Sequence, residues 1–262
     1  MKLQKYYLSL IVSLLIVQSV FSQTEYNKAY YEFRKYVYNS NSANEPAVKD
    51  KYEKIISLIN NDNSLNKNIE KSKCDYLIGL FYKDKENNTT AIDYFQSSMD
   101  LAEKENQIKE SAQGYLAYGE SLAQICTLKP TSYLITNGLK VGTMAKKALK
   151  LDNRLGAARY LVCSLIAYAP VPFRNFSKAE KIYLEILEKD DLDEEDCFNV
   201  YISLGFINYQ KEEYAEADKW FNLAAKIYPN NKFLQSLQSR EYNKNDYITV
   251  DVEPIIDCMM ED

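Results

Sequence analysis

The chain contains no histidine in 262 residues. That absence removes Ser–His and Cys–His nucleophile activation, imidazole metal ligands and the usual general base near neutral pH. Glycine is scarce too, at seven in all, and none of the phosphate-cradling glycine patterns occurs. The five cysteines, Cys74, Cys126, Cys163, Cys197 and Cys258, stand singly, without the CxxC or Cys/His spacing that metals use. An odd number leaves at least one thiol unpaired. The four inner ones read as small buried apolar residues, with bridging the alternative in an oxidising compartment. Carboxylate chemistry needs only two Asp or Glu. Yet nearly all of the 37 acidic residues fall at solvent-facing helical positions or in first turns, where charge is an ordinary solvated face. The chain is expected not to be an enzyme, and no cofactor or metal is implied.

Long apolar runs are missing as well, with one exception at the start. Lys2 and Lys5 precede an apolar stretch from Leu8 to Val20, followed by Val20-Phe21-Ser22 before Gln23. A charged start, a short apolar centre and small residues at the end form the pattern of a secretory signal peptide. A membrane anchor is the rival reading, but a spanning helix needs about 20 apolar residues. Residues 1–22 are therefore expected to be cleaved, leaving an exported protein, periplasmic or extracellular, with no membrane span. Cleavage takes two lysines and no acid, moving the formal charge from −5 to −7. A negative field argues against nucleic acid or an anionic lipid surface as partner.

What is present is helical periodicity with a repeat. From Tyr201 to Asn230 the chain reads YISLGFINYQKEEYAEADKWFNLAAKIYPN. Ala217, Phe221 and Ala224 follow Gly205 by 12, 16 and 19 residues, and Ala91, Phe95 and Ser98 follow Gly79 by the same three intervals. Ala179, Tyr183 and Ile186 precede the later triplet by 38 residues each, marking another second helix. Its first helix is expected from about Leu155 to Tyr168, with Pro170 and Pro172 breaking the connection and Ser177 with Glu180 as a capping box. Further pairs are expected at Ile108–Thr127 with Thr131–Leu151, and at Glu25–Tyr38 with Ala47–Asn60.

These spacings resemble the tetratricopeptide repeat (TPR), in which small residues mark helix crossings and a proline such as Pro229 closes the second helix. The resemblance implies an all-α, right-handed α-solenoid of about five antiparallel helix pairs over residues 23–242. A capping helix at about Lys232–Tyr242 ends it, and an acidic tail spans residues 243–262. It also implies a scaffold that binds a protein or peptide partner in the cell envelope through a concave face lined by first helices. The implied lining residues include Tyr76, Leu80, Lys83, Leu116, Tyr160, Ile202, Phe206 and Tyr209. Apolar Ile202 and Phe206 do not suit a carboxylate clamp, so an apolar helix or extended apolar peptide is expected. The same strip is also compatible with ordinary core, if the array winds tightly.

Two segments carry second readings. Ala169–Phe176 is weakly similar to the periplasmic T-component of TRAP-type transporters, which implies a small-ligand carrier as an alternative function. Here Arg174-Asn175 stands where that family has glycines. Tyr247–Val252 alternates apolar and polar residues like a strand, and the tail is expected either to hang loose or to lie in the array's own groove.

Overall fold

The computed structural model describes residues 25–169 and 174–240. Eleven helices and no strands occur among them: α1 (residues 25–38), α2 (Glu45–Asn61), α3 (Lys67–Asp84), α4 (Asn88–Ile108), α5 (Ala112–Leu128), α6 (Thr131–Leu151), α7 (Gly156–Ala167), α8 (Phe176–Lys189), α9 (Glu194–Gln210), α10 (Tyr214–Ile227) and α11 (Lys232–Gln238). They make five antiparallel pairs and a terminal helix, the all-α solenoid the repeat predicts. Each helix packs on the next from α2 to α11, and first helices also touch first helices, α3 on α5, α5 on α7 and α7 on α9. The Tyr247–Val252 alternation lies outside the described residues, as does the end of the expected capping helix.

Side-chain caps set most helix starts. Asn44, Asn66, Asn87, Ser111, Asn175 and Asn231 each accept a hydrogen bond from a backbone N–H of the following first turn. Such a cap satisfies amides that have no intrahelical partner, at about 1 kcal/mol each. The α8 cap corrects the sequence expectation: Asn175, two residues before Ser177, accepts from Lys178 N–H at 2.9 Å. The reciprocal capping box occurs instead at α9, between Asp193 and Asp196. Helix α5 begins after Ile108 because α4 continues to that residue and Ser111 then caps the new start.

The two clearest units repeat in three dimensions as well as in sequence. Gly79 lies against the ring of Phe95, and Gly205 against the ring of Phe221; a Cβ at either would fall 2.5 or 2.4 Å from a ring carbon. Ala91, Phe95, Ala217 and Phe221 are all fully buried at these crossings. The turns match too. Asn87 N–H donates to Tyr82 C=O and Glu213 N–H to Asn208 C=O, both at 2.9 Å, closing α3 and α9 alike. Glu86 and Glu212 occupy the left-handed region at φ 62° and 66°, where such helix ends commonly place glycine.

The array closes on itself through α1. Arg34 Nη1 reaches Asp193 Oδ2 at 2.5 Å and Glu195 Oε2 at 3.3 Å, at the start of α9. Tyr38 O–H donates to Glu195 Oε1 at 2.6 Å, and its ring stacks on Tyr228 at 4.6 Å and meets Phe198 edge-on at 5.6 Å. Asn41 N–H donates to Asn230 C=O at 3.1 Å, and Asn231 Nδ2 donates to Tyr38 C=O at 2.9 Å. On its other flank α1 meets α2 and α3, through Phe33 beside Tyr52 and the hydroxyl of Tyr26 on Glu70. The first helices α1, α3, α5, α7 and α9 thus form a closed inner ring, with one core cluster running from Tyr26 to Leu237.

Candidate functional site on the inner wall

Ring closure divides the expected lining strip in two. Leu116, Ile202, Phe206 and Tyr209 are buried core side chains, at 6 % exposure or less. This corrects the expectation of an open apolar groove at those four positions. Phe206 lies under Tyr168 and Phe176, at 5.6 and 6.3 Å between ring centres, and Tyr209 packs edge-on against Tyr214 of the next helix. Tight winding, the alternative the sequence left open, is the physical reason. Tyr76, Leu80, Lys83 and Tyr160 remain partly accessible.

Those accessible residues belong to a polar wall contributed by all five first helices. Tyr30 from α1, Lys73 and Tyr76 from α3, Glu120 and Gln124 from α5, Tyr160 from α7, and Glu195 and Asp196 from α9 all keep partial exposure. Burial nevertheless dominates the titration of most of these ionisable groups. Partial access combined with strong desolvation is the signature of a concavity deep in the molecule rather than an outer surface.

This wall is rich in buried carboxyls. Burial, then the charges of Glu195, Asp196 and Asp193, push the Glu120 carboxyl well above the usual carboxylate range, against the opposing pull of Lys73. Burial also raises Glu195, opposed chiefly by Arg34 and by the Tyr38 hydroxyl. Asp196 is pushed up to about 7 by burial and then by Asp193. Glu120 differs from Glu195 in one respect: among the described residues no hydrogen bond or ion pair engages its carboxylate. Burial pushes the Lys83 ammonium down to about 8. Its partners are neutral, Gln124 Oε1 at 2.7 Å and Thr127 Oγ1 at 2.9 Å. Tyr160 shares a hydrogen bond with Ser203 at 3.3 Å, and Tyr76 accepts one from Gln124 at 3.4 Å.

The contributions of α1 and of the α9 start are invisible to repeat spacing. The acidic run Asp193–Asp196 reads in sequence as a helix cap with favourable first-turn charge. The available signal was Arg34, a lone cation on the otherwise apolar stripe of Tyr26, Tyr30, Phe33 and Val37. No group of three or more His, Cys, Asp and Glu among the described residues is placed to hold a metal ion. Cys74, Cys126, Cys163 and Cys197 are free thiols. No helix among the described residues is long and apolar enough to cross a membrane.

No protein-family model matches the chain, and no curated protein matches it. Among solved structures it is similar to YrrB, whose crystal structure is described as that of a TPR protein with an unusual peptide-binding site. The identity is 15 %, the match covers 75 % of this chain and 87 % of that one, and the TM-score is 0.34.

Proposed function

We propose that the chain is an exported, non-catalytic scaffold that holds a polypeptide segment against its inner wall, with a basic side chain of the partner meeting Glu120. The observation that carries this reading is the unpaired Glu120 carboxyl, partly accessible yet desolvated, with the partly exposed tyrosines Tyr76 and Tyr160 as neighbours. A buried carboxyl without a counter-charge resists ionisation, and a partner cation brought beside it favours the charged form. Tyrosine rings give large contact area at small entropic cost and attract cations across their faces. The partner therefore differs from the apolar helix expected from sequence, because the strongly apolar half of the strip is consumed as core. Export rests on the leader-like residues 1–22.

The test is affinity capture from the cell envelope with the mature chain and two variants. Glu120→Gln removes the ionisable carboxyl while keeping the shape, and Leu184→Ser alters an exposed position on the outer face. A partner retained by the wild type and by Leu184→Ser, but lost with Glu120→Gln, supports the inner wall. An unchanged set of partners with Glu120→Gln overturns it. N-terminal sequencing of secreted protein checks export separately, with Gln23 expected as the first residue.

A further inference from the structure

Helix α6 differs from the other outer helices in its charge. The second helices α2, α4, α8 and α10 each carry at least two carboxylates, whereas α6 has none and holds Lys140, Lys146, Lys147 and Lys150. Its outward face also bears the most exposed large hydrophobic residue among the described ones, Leu139 at 81 %, with Ile135 at 41 % one turn earlier. At 3.6 residues per turn, Ile135, Leu139, Lys146 and Lys150 fall within about 60° of arc. Among the described residues no carboxylate forms an ion pair with Lys146, Lys147 or Lys150. An apolar pair followed by unpaired cations is a surface made for an acidic segment with apolar residues.

We propose that the outer face of α6 docks the C-terminal segment of the same chain, residues 251–262. That segment reads DVEPIIDCMMED, with five acids, no base and an apolar set of valine, isoleucines and methionines. Charge decides between its two possible seats. The inner wall sets the buried carboxyls of Glu120, Glu195 and Asp196 against such a segment and would make each harder to ionise, whereas the lysines of α6 attract it. Reach permits it as well. Arg240, where the described residues end, is held on α10 by Asp218 at 3.2 Å and lies over the Tyr214 ring at 4.6 Å. Residues 241–250 can extend about 35 Å, inside the roughly 32–40 Å path of four helix-to-helix steps from α10 through α9, α8 and α7 to α6; the straight line across the curved array is shorter than that path.

Treating the full mature chain with a water-soluble carbodiimide, which joins amines to carboxylates already in contact, tests the docking. Links from Lys146, Lys147 or Lys150 to Asp251, Glu253 or Asp257 are expected to dominate over links from the tail to lysines of α2 and α4. In an equal mixture of ¹⁴N- and ¹⁵N-labelled chains they should stay within one isotope. Leu139→Asp, which keeps all the lysines and sits on an exposed position, should abolish them. Tail links spread evenly over surface lysines, links between isotopes, or links unaffected by Leu139→Asp would each overturn the proposal. None of these outcomes bears on partner capture at Glu120.

Discussion

At the scale of single residues, the contact that defines the repeat is a glycine beneath an aromatic ring. Gly205 and Phe221 sit so close that a methyl group has no room without movement of the ring, and Gly79 with Phe95 repeats the arrangement. Phe221 is almost fully buried, so ring movement means repacking a filled core, which typically costs 1–3 kcal/mol. Gly205→Ala is accordingly expected to lower unfolding free energy by about 2 kcal/mol in urea titration. That loss holds even though alanine is intrinsically the better helix former by about 1 kcal/mol. The double variant Gly205→Ala with Phe221→Leu should recover part of it, because the smaller side chain vacates the space. Equal stability of Gly205→Ala and wild type would mean that the crossing is looser than these distances describe.

At the scale of elements, the decisive piece is α1, which converts an open series of pairs into a ring. A linear array transmits order only between neighbours, but the Arg34 bridge to Asp193 and Glu195 couples the first pair to the fifth. Arg34 is 8 % exposed, and removing one member of a buried pair leaves the other charge uncompensated, at roughly 3–5 kcal/mol. Half-exposed Asp193 lowers that toward about 2–3 kcal/mol, since surface pairs contribute little. Arg34→Met should therefore speed amide exchange in α1 and at the start of α9 while leaving α3 and α4 protected. Uniformly faster exchange would point to global destabilisation instead. This ring also explains which parts were legible in the sequence. Helix pairs, crossings and turns are local in the chain, so the spacing around Gly79 and Gly205 revealed them. The burial of Phe206 and Tyr209 depends on curvature, and the meeting of Arg34 with Glu195 spans 161 residues. No periodicity encodes either. Lining positions inherited from a more open array therefore landed half on the wall and half in the core.

At the scale of the whole molecule, closure gathers carboxylates that a straight array would keep apart. Glu120 comes from α5, and Glu195 and Asp196 from α9, and all three titrate above their usual range, chiefly through burial. A carboxyl with a raised folded-state value binds its proton more tightly in the folded chain than in the unfolded one. Its contribution to stability is complete below the unfolded value near 4 and is lost as pH rises through the folded value. For Asp196 that window runs from about 4 to about 7. Lys83, pushed down to about 8, acts in the opposite direction: its contribution grows as pH rises from 8 toward its unfolded value near 10.4. The folded chain is thus expected to lose stability steadily from pH 5 to pH 8, with a slope of at most about 1.4 kcal/mol per pH unit for each group, and then to level off. Urea midpoints at half-unit pH intervals measure the curve. Glu120→Gln should flatten the descending limb, because it removes one carboxyl whose value burial and the charges of Glu195 and Asp196 raise. A midpoint that stays constant or rises between pH 5 and pH 8 would show that these carboxylates are solvated individually, and that the inner wall is open rather than enclosed by the ring.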